Sequence, residues 1–316
     1  MTISSLGLSL LVLTMNLCIY SIVGSIIGAK LDNSQIKLSA KNAAYSTFFT
    51  TLISSMCLVY AFVTNDFSIK YVFNHSNLSM DPAYTWVAMY AGNEGSLLYI
   101  ALVISLSILL VLLFKPKDMI ESEPHLVAIM SGFLLFFISV MVFFANPFDT
   151  FQSNIPSDGR GMNPLLAHPG MFSHPPLLMA GLATISVPFS LITSMILTGT
   201  FRNNGLDFVR TTSLLVWCIL GVGLLLGSWW AYTILGWGGY WVWDPIENVG
   251  LMPWLVMTAF IHSIIVQRRR GMFRVWNVIL IFLAFVLAQF GMFINRGGPV
   301  VSVHSFAAST LGYIFL

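Results

Sequence analysis

Residues 95–114 read GSLLYIALVISLSILLVLLF, with no charged side chain, and are closed by Lys115, Pro116 and Lys117. At ~1.5 Å per residue a helix of this length reaches ~30 Å, the thickness of a bilayer's hydrocarbon core. Irregular or open-edged backbone does not face lipid, so a run this long reads as a helix rather than a strand. Working outward, comparable runs lie near 6–28, 43–63, 125–146, 174–200, 211–230, 249–267 and 274–294, and a further run begins near Phe306. Only 8% of the 316 residues are charged and 57% are hydrophobic, whereas soluble domains carry about 25% charged residues. The expected fold is all-α: a polytopic integral membrane protein of eight or nine transmembrane helices, forming a single domain over residues 1–316.

The charges then assign sides. Of 14 Lys and Arg, alternate loops hold Lys30, Lys37, Lys41, Lys115, Lys117, Arg202, Arg210, Arg268, Arg269, Arg270 and Arg274, while the other loops hold Lys70, Arg160 and Arg296. The positive-inside rule puts the first set in the cytoplasm or mitochondrial matrix, with the N-terminus on the outer side. A net charge of +2, scattered along the chain, gives no footprint for nucleic acid. Cys18, Cys57 and Cys218 lie in apolar runs without a Cys-x-x-Cys pair, which excludes a disulfide framework, a thioredoxin-like motif and a c-type haem attachment sequence. The first cation is Lys30, so the first run is read as a retained span rather than a cleaved signal.

Histidines stand out on this background. On this sidedness His75, His168, His174 and His304 fall at the outer face, and His125 starts a helix at the inner face. His262 lies inside the seventh span, where an ionisable group is a functional candidate; a neutral His bonded to a neighbouring helix explains it equally well. His174 precedes Pro175 and Pro176 and opens a helix, either as a simple cap or as an imidazole at the mouth of a site. His304 leads into the last apolar run.

The outer loop at about 229–248 contains WWAYTILGWGGYWVWDPIE, with five of the chain's nine Trp: Trp229, Trp230, Trp237, Trp241 and Trp243. Asp244, Pro245 and Glu247 have the spacing of an N-cap, a first-turn proline and a capping-box acid. Interfacial Trp can also be plain membrane anchors. Here, however, they alternate with Gly236, Gly238 and Gly239, which let a backbone approach a ligand, in a loop without Lys or Arg. An uncharged aromatic wall suits a large, flat, apolar ligand. A porphyrin with outer-face His as axial ligands is the first candidate and a quinone the second.

The spacing of Trp237, Gly238, Trp241, Trp243, Asp244 and Glu247 resembles the WWD motif of the haem-handling proteins of cytochrome c maturation, whose branches are CcmF, CcmC and CcsA. The segments NDFSIKYV, AGNEGSLLYI, MNPLLAHPGMFSHPPLL and VSVHSFA are similar to CcmF, and in CcmF order. The resemblance runs from about residue 45 to the end. It implies a haem lyase that holds haem b at the outer WWD loop for attachment to apocytochrome c. His174 and His304 would be axial ligands of that haem, and His262 one ligand of a second, in-membrane haem completed from another chain. Trp229 and Trp230 would belong to the site, and Arg160 and Arg296 are candidates for pairing the propionates.

Implied partners are a CcmE-like haem chaperone, a CcmH-like thiol protein, apocytochrome c, a C-terminal CcmF piece and membrane lipid. Members of this family usually continue through further spans. The chain therefore reads as an N-terminal half or a split CcmF subunit, expected in the mitochondrial inner membrane or a bacterial inner membrane. His168 matches no family histidine and reads as a loop residue; Ile234 and the RGGP of residues 296–299 depart from the family pattern. The alternatives are a CcmC-type haem carrier without lyase activity, a quinol-linked b-type cytochrome subunit and a purely structural subunit.

Overall fold

The computed structural model describes residues 2–234, 236, 238–296, 300 and 310–315. Eight helical spans among them are long and apolar enough to cross a membrane. In chain order the helices are α1 (Ile3–Lys30), α2 (Ser34–Val63), α3 (Lys70–His75), α4 (Pro82–Thr85), α5 (Asn93–Phe114), α6 (Glu123–Phe143), α7 (His174–Thr184), α8 (Ser186–Thr198), α9 (Asn203–Ile234), α10 (Pro245–Arg270) and α11 (Arg274–Asn295). The described residues form no strand; Ile69 and Thr150 make one isolated antiparallel bridge. The all-α membrane expectation holds. The apolar run that begins near Phe306 lies partly outside the described residues, and residues 310–315 form a 3-10 turn against α11.

Helix ends differ from the apolar runs in ways the residues explain. The run at 174–200 is one span made of two helices, α7 and α8, broken at Ile185. Pro188 has no N–H for the Thr184 carbonyl, and its ring crowds that carbonyl. α9 begins eight residues before its apolar run at 211, because its polar first turns are tied to a neighbour: Arg268 Nε donates to Asp207 at 3.0 Å.

Lipid offers little hydrophobic drive between helices, so small and hydroxylated residues make the contacts. In the α1–α2 hairpin a Cβ placed on Gly28 would lie 2.9 Å from the Lys37 backbone nitrogen, which only glycine permits. Thr14 and Thr50 hydroxyls meet at 2.7 Å, and Ser54 donates to the Gly7 carbonyl at 3.1 Å. α5 and α6 complete a group with this hairpin, α8 leans on α6, and α7, α9, α10 and α11 pack beside them.

Most of the cations gather at one end of the bundle. Lys41 and Lys115 share Glu123 at 3.1 and 2.5 Å, and Arg202 pairs Glu121 at 2.8 Å. The other end, which carries the Trp-rich loop, is covered by the connections at 64–92 and 144–173. These are sewn together through backbone: Arg160 N donates to Phe73 O at 2.7 Å and Gly161 N to Ser76 O at 3.0 Å.

Candidate functional site

Helix α9 carries a different site on each of two faces. With ~3.6 residues per turn, Gly223, Gly227, Trp230 and Ile234 share one stripe, while Cys218, Gly221, Leu225 and Ser228 lie roughly opposite.

The first stripe meets α7 at unusually short range. A Cβ on Gly223 would lie 2.8 Å from the Leu178 backbone nitrogen, and one on Gly181 would lie 2.6 Å from Leu220 Cα. These contacts involve backbone, so no side-chain rotation could relieve a larger residue. The close approach brings His174, at the start of α7, over Gly227, and the His174 Nδ1 lies 2.8 Å from the Gly223 carbonyl oxygen. A carbonyl only accepts, so Nδ1 carries the proton and the ring's lone pair sits on Nε2. Trp230, 9% exposed, stands edge-on to this ring at 5.7 Å.

A cavity of about 170 Å³ opens beside His174, lined also by Asn93, Ser96, Met171, Trp230 and Arg296. Arg296 is only 5% exposed. Its Nη1 donates to Asn93 Oδ1 at 3.0 Å and to Ser96 Oγ at 2.5 Å. Burial pulls its pKa down to about 10, against the opposing fields of Tyr71 and Glu94, so it stays a cation near neutral pH. Its Nε is buried with no hydrogen-bond partner among the described residues. Arg160 is elsewhere: it is exposed in the covering loops, with its guanidinium 5.3 Å from the Phe73 ring centre.

The second face of α9 packs toward α10 and bounds an apolar groove of about 670 Å³. Trp217, Trp241, Trp243 and Trp254 line it, together with Cys218 and Leu225. Trp217 and Trp254 stack at 5.1 Å and 18°. Their indole N–H groups are satisfied crosswise, Trp217 Nε1 on Thr258 Oγ1 at 2.7 Å and Trp254 Nε1 on the Trp217 carbonyl at 3.2 Å. Gly221 permits this, since a Cβ there would lie 2.8 Å from Trp254 Nε1. Trp241 and Trp243 close the groove edge to face at 6.1 Å, and the Trp241 Nε1 is buried without a partner among the described residues.

The loop between α9 and α10 is shaped by its ends. Asp244 caps α10, accepting from Ile246 N at 3.0 Å, and Glu247 reaches back to the N–H groups of Asp244 and Val242 at 3.2 and 3.1 Å. The capping box read from the sequence is therefore present. Gly238 has a positive φ of 71°, which accounts for one of the loop glycines by turn geometry alone. Trp243 adopts φ of 60°, a left-handed conformation uncommon for a non-glycine residue, with its carbonyl held by Asn248 Nδ2 at 2.9 Å.

The structure thus brings His174, Trp230 and Arg296 together and puts Trp241 and Trp243 in a separate groove on the far side of α9. Trp229 is 41% exposed beside His168. His262 is exposed on α10, its Nδ1 donating to the Thr258 carbonyl at 2.8 Å, in neither cavity. Trp237 and His304 lie outside the described residues. Among the described residues no cluster of three His, Cys, Asp or Glu side chains could hold a metal ion.

His168 is placed more tellingly than its loop position suggests. Its ring stacks on Trp230 at 5.6 Å and 19°, whereas His174 meets Trp230 edge-on. Nδ1 accepts from Gly170 N–H at 3.0 Å, so the proton sits on Nε2, which faces Thr233 Oγ1 at 3.1 Å. Both ring nitrogens are used, and desolvation holds the pKa below the ordinary histidine value. This is a packing role. The sequence also left Asn93, Ser96, Trp217 and Trp254 unremarked. The one signal for the last two was an indole N–H inside an apolar run, which needs a partner there.

Comparison with known proteins follows the same lines. The family described as "Cytochrome C assembly protein" matches residues 90–298. The chain is 37% identical to the cytochrome c-type biogenesis protein CcmF of Haemophilus influenzae over 310 residues, covering 97% of this chain and 47% of that protein. It is 37% identical to CcmF of Escherichia coli K12 over 315 residues, 98% of this chain and 48% of that protein. A solved structure titled "Cytochrome c Heme Lyase CcmF" superposes with a TM-score of 0.82 at 32% identity, over 95% of this chain and 48% of that one. The chain spans about half the length of the relatives it matches.

Proposed function

This chain belongs to the cytochrome c assembly protein family, and from that premise we propose that it is the haem-holding part of a CcmF-type haem lyase, taking haem as cargo for attachment to apocytochrome c. The observation that carries the reading is His174: its Nδ1–H is locked on the Gly223 carbonyl, so Nε2 holds the lone pair a haem iron needs. The four-Trp groove, across α9 from His174, is a second apolar surface in the usual volume range for ligand pockets. The Arg296 Nε, in the cavity beside His174, is a buried donor in want of an acceptor, and haem carries carboxylates. Trp230 stands edge-on to the His174 ring, His174 with His304 would supply ring nitrogens, and Gly238, Asp244 and Glu247 shape the loop whose Trp241 and Trp243 line the separate groove across α9. Bound haem supplies the vinyl groups that take up cysteine thiols; the chain's own residues bind, orient and shield.

His262, exposed with its Nδ1 fixed by Thr258, is in this reading one ligand of a second haem completed by another chain, such as a C-terminal CcmF piece. The Trp-rich end faces the periplasm or intermembrane space, by the cation bias of the opposite loops. A CcmE-like chaperone, a CcmH-like thiol protein and apocytochrome c are the partners there. The membrane is the bacterial or mitochondrial inner membrane.

The test is haem content. The chain is purified with its completing half, and the Soret absorbance of wild type is compared with that of His174→Ala and of the His174→Ala, His304→Ala pair. Loss of most of the outer-site haem is expected from the pair, with retention of any haem that depends on His262. An unchanged spectrum in the pair sinks the ligand assignment.

A further inference from the structure

The buried guanidinium of Arg296 ties the end of α11 to the start of α5 through Nη1, and its Nε is left over. Ionised groups are expensive to bury unless paired, and among the described residues no carboxylate lies within ion-pair distance of this one. The two groups that hold it, Asn93 and Ser96, are neutral and both engage Nη1. The Nε remains without an acceptor among the described residues, and Arg296, Asn93 and Ser96 all line the 170 Å³ cavity. The start of α5 faces the same space. Its N-cap, Gly92, lines the cavity with Asn93; the Tyr71 hydroxyl accepts from Gly92 N–H at 2.9 Å, and Glu94 stands in the first turn. A buried guanidinium with one nitrogen left unpartnered beside a small space calls for an acceptor there, best a negatively charged one. The remaining lining, Met171, Leu178, Met179 and Trp230, is apolar.

We propose that this cavity is a carboxylate-binding subsite, in which Arg296, tethered by Asn93 and Ser96, receives a small carboxylate or the carboxylate arm of a larger ligand while the apolar wall receives its carbon skeleton. Size sets the limit. Cavities of about 150 Å³ take up benzene, so a space of 170 Å³ admits a ring, a short chain or the propionate edge of a larger ligand lying at its mouth. The ligand's source is either a free monocarboxylate or a haem propionate. Only the second depends on the haem reading above, and the first stands without it.

The experiment uses the full chain in detergent, titrated calorimetrically with benzoate and with its neutral isostere benzamide. Benzoate should bind at least 10-fold more tightly. Arg296→Gln should abolish that preference, and Ser96→Ala, which frees the tether but keeps the charge, should weaken benzoate several-fold. If Arg296→Gln does not fold, the Ser96→Ala and Asn93→Ala variants carry the test. A second arm compares haem with haem dimethyl ester. Weaker binding of the ester in wild type, with the difference lost in Arg296→Gln, names the propionate as the source. Equal binding of haem and ester alongside an Arg296-dependent benzoate preference names a free acid and leaves the subsite standing. Equal binding of benzoate and benzamide, or a preference that survives both Arg296→Gln and Ser96→Ala, overturns the proposal.

Discussion

The two faces of α9 are built from the same helix and answer opposite demands. Toward α7, glycine removes side chains so that backbones nearly touch, and the space left is small, partly polar and bordered by a buried cation. Toward α10, tryptophan adds side chains, and the space left is four times larger by the same measure and almost wholly apolar. On the first face, positions are set by main-chain contact and a hydrogen bond to a carbonyl, which rotamer changes cannot relax. On the second they are set by stacked rings whose indole N–H groups are tied to Thr258 and to the Trp217 carbonyl. The contrast teaches that a fixed ligand nitrogen and an accommodating aromatic wall need different packing, and that one helix can supply both.

The largest effect that would break this comparison is at the α7–α9 contact. Gly223→Val should cost about 3 kcal/mol or more, because the added carbons meet the Leu178 backbone rather than a movable side chain. Thermal unfolding in detergent should show a large fall, with His174 displaced from Gly223. Gly132→Ala on α6 is the control: nothing lies within 4 Å of its added carbon, and a gain of up to about 1 kcal/mol is expected. If the two variants behave alike, close approach is not what organises the first face.

A middle-sized effect sharpens the second face. Asp244→Ala removes the cap of α10 and should cost about 1 kcal/mol. It should also loosen Trp243, whose carbonyl is held by the adjacent Asn248, and Ile246, which borders the His174 cavity, while leaving the α7–α9 contact at Gly223 unchanged. Exchange-protection measurements that show loosening on both faces would deny their independence.

The smallest effect is in pH. Burial keeps the folded-state pKa of His168 below the unfolded value of about 6.5. The neutral ring's acceptance from Gly170 N–H is lost when Nδ1 is protonated. Stability from this residue is therefore whole above about pH 6.5 and falls as pH drops toward the folded value. His75, half-buried against Tyr71, has the same sign. His168→Gln should flatten part of the acid limb of a stability–pH curve, and a curve identical to wild type would remove His168 from the packing of Trp230.

Much of this architecture was legible in residue order. The apolar runs located the spans, and Asp244, Pro245 and Glu247 announced the start of α10. Helix ends were less legible, because α9 extends past its apolar run through an ion pair made 61 residues away, between Asp207 and Arg268. The site was legible as residue types rather than as a constellation. His174, Trp230 and Arg296 stood out one by one, yet nothing in their spacing grouped them apart from Trp241 and Trp243. Asn93 and Ser96 carried no signal, since small polar residues at a helix start usually serve the helix.

What the sequence by itself determined is the class of solvent and the chemistry on offer: a chain too apolar for water must form helices that satisfy their own backbone, and its few polar groups mark where something happens. Which face of α9 each group occupies, which nitrogen of His174 keeps its lone pair and which cavity Arg296 borders were decided only by the tertiary structure. Those properties depend on how closely backbones approach across helices, at Gly223 and Leu178 and at Gly181 and Leu220, and such distances are set by three-dimensional packing of residues far apart in the chain.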